Sequence, residues 1–121
     1  MKQTTDKSLL LIEPDSSLGR GISHALRSMF TGIEHIKNPM KAVSVLETRK
    51  YDIIVTEFDF PTLDGLTLIP LLRRKAPGAV ILVLAADINL DVSLVFDQNK
   101  TVVLEKPLHV NQLKKILEQY L

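Results

Sequence analysis

No cysteine occurs in the 121 residues. Disulfides, thiolate catalysis and cysteine-ligated zinc are therefore excluded, and the chain fits a reducing cytosol. Glycine is sparse, five residues in all, and no glycine-rich phosphate loop follows any strand-like run, which counts against a nucleotide or dinucleotide site. Neither sign of charge prevails. Fifteen basic against fourteen acidic side chains leave a formal net charge of +1, so nothing electrostatic argues for nucleic acid or an anionic membrane as a partner of this domain. No stretch approaches the ~20 apolar residues that span a bilayer, and the polar start MKQTTDKS lacks the apolar core of a signal peptide. Histidine is equally uninformative: His24, His35 and His109 lie far apart without metal-ligand spacing, no serine, histidine and acid arrangement suggests a triad, and all three are expected at the surface.

What is present is a chain that can bury a core, with 45% hydrophobic and 24% charged residues. Four short apolar runs, Leu9–Ile12, Ile53–Val55, Val80–Leu84 and Val102–Leu104, are bounded by polar or turn residues, and a weaker fifth lies near Ile33–Ile36. Helical periodicity fills the gaps. Leu18, Ile22, Ala25, Leu26 and Met29 form one stripe, and Val110, Leu113, Ile116, Leu117 and Tyr120 another. Near-continuous apolar strands alternating with amphipathic helices predict a doubly wound α/β domain, a five-stranded parallel sheet with helices on both faces. Asp15 or Ser16 is placed to cap the first helix, Asn38-Pro39 to open the second and Asp64-Gly65 the third, with Pro70 deleting a backbone bond inside that third helix. Residues 1–7 read as a loose tail and 8–121 as one domain.

Open parallel sheets bind ligands beyond the carboxyl ends of their strands. The exits here carry Glu13, Pro14 and Asp15 after the first strand, Glu57, Phe58 and Asp59 after the third, Ala85, Ala86 and Asp87 after the fourth, and Glu105, Lys106 and Pro107 after the fifth. Two or three carboxylates and one lysine converge.

The segments LLLIEPD, YDIIVTEFDFPTLDG, VILVLAAD and VVLEKPL, in this order and on these elements, resemble the receiver domain of two-component response regulators over nearly the whole chain. The resemblance implies a flavodoxin-like fold. In a working receiver it further implies a magnesium ion held by an acidic pair and an aspartate that accepts a phosphoryl group. A hydroxyl and a lysine grip that group, and an aromatic residue changes position. Carried over one by one, Glu13 keeps the first acid of the pair, Pro14 stands in the place of the second, Glu57 occupies the phosphoacceptor position, Ala85 the hydroxyl position and Val103 the aromatic switch position. Lys106, followed by Pro107, is retained, and the resemblance favours a cis bond between them. Magnesium binding is expected to be weak or absent, because a proline offers only its carbonyl, with Asp15 as the one nearby substitute.

The expectation is a degenerate receiver, not an enzyme, that is cytoplasmic and acts through protein contacts independently of phosphorylation. Glu57 is expected to reach Lys106 as a solvent-exposed pair. Its alternative reading is a solvated loop acid, and that of Glu13 a plain strand-end residue, while Asp52 reads as structural. Two rival functions stand beside this one: a genuine receiver slowly phosphorylated on Glu57 or Asp59 with magnesium, and a flavodoxin-like ligand-binding domain. A helix capped by Asp87 over Ile88–Asp97 would leave Leu90 and Leu94 on its outer side. Receivers commonly pair or engage outputs through the fourth helix, fifth strand and fifth helix, so these leucines are expected in a homodimer, output-domain or other protein interface.

Overall fold

The computed structural model describes residues 6–86 and 100–121. Along them run β1 (Ser8–Ile12), α1 (Ser16–Leu26), β2 (Gly32–Ile36), α2 (Pro39–Val45), β3 (Ile53–Glu57), the two-residue strands β4 (Asp59–Phe60) and β5 (Leu63–Asp64), α3 (Gly65–Lys75), β6 (Val80–Ala85), β7 (Thr101–Glu105) and α4 (Val110–Glu118). The main sheet has the order β2-β1-β3-β6-β7, and every pairing in it is parallel. Asp87, Leu90 and Leu94 lie outside the described residues, as do residues 1–5 of the expected tail. Lys7 is tied in, its carbonyl accepting the Thr31 N–H at 3.0 Å and the Thr31 hydroxyl at 3.1 Å.

Period-two alternation in the strands assigns the two layers. Leu10, Ile12, Ile54, Ile81 and Val83 point to the side covered by α2 and α3, where they meet Val43, Leu68, Ile69 and Leu72. Leu9, Leu11, Ile53, Val55, Leu82 and Leu84 point to the other side, covered by Leu26, Met29 and Phe30 around α1 and by Leu113 and Leu117 of α4. Both faces are dry, which is why the strand sequences are apolar almost without interruption.

Each helix begins where its cap allows. Asp15 accepts the Leu18 N–H at 2.9 Å, Asn38 those of Met40 and Lys41 at 2.9 and 3.2 Å, and Asp64 that of Thr67 at 3.0 Å. Pro39 stands in the first turn of α2, where its missing N–H costs nothing, and Pro70 sits exposed inside α3. At α4 the backbone N–H of His109 donates to Gln112 Oε1 at 2.9 Å.

Two features of the expected layout change. The acidic segment after β3, expected as a loop, folds into an antiparallel ribbon with Asp59 opposite Asp64 and Phe60 opposite Leu63. Gly65, at the start of α3, makes room for it: the Phe58 ring lies where a β-carbon would stand, 2.1 Å from Phe58 Cδ1. Leu18, expected on the buried stripe of α1, is 50% exposed. It lines the rim of a small cleft with Ile22, Leu84 and Leu108 instead of packing into the core.

Candidate functional site

The strand exits assemble into one acidic pocket because all five strands are parallel and end at the same edge. Glu57 is the last residue of β3, not a loop residue, since the ladder continues through it to a bond from Phe58 N–H to the Leu84 carbonyl at 2.8 Å. That extension removes Glu57 from solvent, leaving it 7% exposed. Its Oε1 accepts a hydrogen bond from Lys106 Nζ at 2.5 Å. The contact is the expected one, but it is not the solvent-exposed pair expected: the lysine is half-exposed while the carboxylate is nearly enclosed. Lys106 is placed by the end of β7, where its own N–H donates to the Ala85 carbonyl at 2.8 Å; its peptide bond to Pro107 is cis.

Glu13 leaves β1 beside this pair and is also buried. Its Oε2 accepts the Asp15 N–H at 2.9 Å, and its backbone N–H donates to the Ile36 carbonyl at 3.1 Å. Burial raises the Glu13 carboxyl above the usual carboxylate range. The Asp15 N–H opposes that shift, the charge and hydrogen bonding of neighbouring Glu57 add to it, and the Lys106 charge pulls weakly the other way. Two enclosed carboxyls thus lie near one ammonium, which is bonded to Glu57. An apolar cleft of about 130 Å³ opens beside them between α1 and α4, lined by Leu18, Ile22, Leu84, Leu108 and Leu113.

The remaining predicted positions fall around this centre. Asp15 is exposed, and its carboxylate is engaged as the cap of α1. Ala85 is 2% exposed and pairs in register with Glu105. Val103 is half-buried opposite Val83. Asp59 is exposed on the ribbon, and Asp52 is structural, accepting the Ser8 N–H at 2.8 Å.

Sequence reasoning missed His35. Expected at the surface, it is half-buried, and its Nε2 donates to the Glu13 carbonyl at 2.8 Å. The ring occupies the space over Gly19, where a β-carbon would lie 2.0 Å from Cε1. A glycine inside an otherwise regular helix was the available signal. His24 and His109 are exposed as expected.

The response regulator receiver domain family matches residues 9–118, nearly the whole chain and the whole of this pocket. The chain belongs to that family. Among curated relatives, this receiver domain is 27% identical over 114 residues to transcription factor SKN7 of Saccharomyces cerevisiae, covering 93% of the chain and 18% of the relative. It is 28% identical over 83 residues to transcriptional regulatory protein QseB of Haemophilus influenzae, covering 69% and 38% respectively. It therefore spans well under half the length of the curated relatives it matches. Among solved structures, chemotaxis response regulator CheY4 of Vibrio cholerae superposes with a TM-score of 0.79 at 20% identity, over 97% of this chain and 100% of that one. The receiver domain of sensor histidine kinase PA1611 from Pseudomonas aeruginosa, solved with magnesium coordinated in its active-site cleft, gives 0.77 at 25% identity over 96% and 98%. The doubly wound fold expected from sequence is the fold of these proteins. Among the described residues no helix is long and apolar enough to cross a membrane.

Proposed function

We propose that this receiver domain signals without phosphotransfer, as a non-enzymatic, cytoplasmic module whose output is a protein contact. The ion pair between Glu57 and Lys106 at 2.5 Å carries the reading. In this reading Glu57 stands in the phosphoacceptor position, and its carboxylate already engages the lysine that a phosphoryl group would engage. The pair imitates the modified state with about one charge in place of the ~1.5–2 of a phosphoryl group.

Three further observations support it. Glu57 is one methylene longer than aspartate and tied to Lys106, so its oxygens are displaced from the place of an in-line attack on phosphorus, and a displacement of about 1 Å can cost ~10²-fold in rate. Ala85 donates nothing. The donor set also fits magnesium poorly. The ion needs near-octahedral oxygens at ~2.0–2.1 Å, whereas Pro14 has no side-chain oxygen, Asp15 is spent on the helix cap, Glu57 on Lys106, and burial makes the charged form of Glu13 costlier than usual. Weak or absent magnesium binding follows.

With transcriptional regulators among its relatives, the partner in this reading is an output domain, a second copy or another signalling protein, meeting the face formed by β7 and α4. Val103, small and apolar, holds that face in one state.

Intact-mass measurement after incubation with acetyl phosphate and magnesium tests the proposal. No mass gain is expected. Gain of one phosphoryl group that disappears in Glu57→Gln, or in Asp59→Asn, overturns it in favour of a slowly phosphorylated receiver.

A further inference from the structure

A second constellation lies on the opposite flank of α1 from the acidic pocket. Between Asp15 and Glu34 the sequence contains no acidic residue, while Arg20, His24 and Arg27 follow one another at spacings of four and three. Those spacings put them on one side of α1. That side borders β2, the outer strand of the sheet. Helix and strand enclose an open groove of about 630 Å³ lined by Arg20, Ser23, His24, Arg27, Phe30 and Ile33, with no carboxylate in its wall.

The cations there are uncommitted. Among the described residues neither arginine forms an ion pair. Each has only a long contact within its own helix, Arg20 Nη2 to Ser17 Oγ and Arg27 Nη2 to His24 Nδ1, both at 3.5 Å. Between them the hydroxyl of Ser23 is buried and has no hydrogen-bond partner. A buried polar group left unpaired calls for a ligand or an ordered water, because its desolvation is otherwise uncompensated. His35 forms the inner end of the groove, its ring pinned by the Glu13 carbonyl.

Chemistry and size narrow the occupant. Guanidinium forks match the oxygens of a phosphate, and two of them with a hydroxyl donor suit an anion with many acceptor oxygens. The volume lies in the ~300–1,000 Å³ range of small-molecule sites, far larger than one phosphate requires. Arg20 and Arg27 are seven residues apart on α1, about 10 Å along its axis at ~1.5 Å per residue, which favours phosphates in succession over a single one. Phe30 and Ile33 offer an apolar wall to whatever body carries them.

We propose that the groove between α1 and β2 binds a small organic diphosphate of nucleotide size, its phosphates held by Arg20, Arg27 and the Ser23 hydroxyl and its less polar body against Phe30 and Ile33. A membrane surface or a nucleic-acid backbone presents the same phosphates, but the near-neutral chain has no broad field to hold a polyanion.

The test is titration of the whole chain with ADP and with pyrophosphate, without magnesium, followed by amide chemical shifts. Adenosine, phosphatidylglycerol vesicles and a short RNA duplex form the comparison arms. Saturable shifts centred on residues 20–35 are expected with ADP, weaker ones with pyrophosphate and none with adenosine. Arg20→Gln and Arg27→Gln are each expected to lower ADP affinity about tenfold, the loss of one charge-assisted hydrogen bond, with no change in unfolding midpoint because both side chains are exposed. Absence of saturable shifts at millimolar ADP, equal affinity in the double variant, or binding only to vesicles or RNA overturns the proposal. None of these outcomes bears on phosphotransfer at Glu57, which the mass measurement reads separately.

Discussion

At the residue scale, the chemistry of the acidic pocket is set by how much water each carboxyl keeps. Glu13 titrates above its ordinary range because burial disfavours its charge. A raised folded-state value means that the native chain binds this proton more tightly than the unfolded one does. The associated stability is fully present below the unfolded glutamate value of about 4.3 and is lost as pH rises through the folded value. Glu13→Gln, which can still accept the Asp15 N–H, should therefore unfold at a higher temperature than wild type at pH 7, with the difference vanishing at pH 3. Calorimetry at the two pH values checks the sign. Lys106 behaves differently. Removing one partner of an exposed pair costs ~0.2–1 kcal/mol, but here the carboxylate left behind is nearly enclosed and sits beside Glu13. Lys106→Met should cost about 1–3 kcal/mol in urea unfolding, in the range of an unsatisfied buried group, and adding Glu57→Gln should restore part of it.

Among the elements, α1 connects the acidic pocket to the cationic groove through one close approach. Gly19 lets the ring of His35 lie against the helix, and His35 in turn holds the Glu13 carbonyl. Gly19→Ala ordinarily favours a helix, yet here the new methyl would occupy the ring's place. Overpacking of this kind costs about 1–3 kcal/mol. The variant is expected to be less stable than wild type, and the same substitution made in a His35→Ala background should be neutral or stabilising. A double-mutant cycle by denaturant unfolding reads that reversal. At the other end of the sheet, Arg73 near the end of α3 donates to the Ala79 carbonyl at 2.6 Å, the Lys100 carbonyl at 2.9 Å and Thr101 Oγ1 at 2.8 Å. It ties the entries of β6 and β7 to one helix. Arg73→Met keeps the stem but leaves these acceptors without their shared donor, and amide exchange in β7 should quicken more than in β1.

For the whole molecule, the decisive property is that the sheet is covered on both faces. Leu9 and Leu10 are consecutive, fully buried and on opposite sides, one against α1 and α4, the other against α2 and α3. Leu9→Ala and Leu10→Ala should each cost ~2–5 kcal/mol by chemical denaturation. A sheet with one solvated face would show that cost at only one of the two positions. The same two-sided burial brings the strand ends together at one edge, where Glu13, Glu57 and Lys106 meet while the helices enclose them.

The sequence alone determined the sheet, because five apolar runs too continuous for a half-solvated strand permit little except parallel strands between two helical layers. It also placed Asp15, Asn38 and Asp64 at helix starts, since capping is a local hydrogen bond that spacing reveals, and it put Glu57 and Lys106 at strand exits on the same edge of the sheet. Tertiary structure decided how deeply the carboxyls are buried, because that depends on where each ladder ends and on which side chains close over the edge. Extension of β3 through Glu57 enclosed the carboxylate of an expected exposed pair, and packing left Leu18 half-exposed at the rim of a cleft. His35 came to the pocket through the missing β-carbon of Gly19, sixteen positions earlier in the chain. No local pattern joins those two residues, and only the packing of β2 against α1 makes them neighbours.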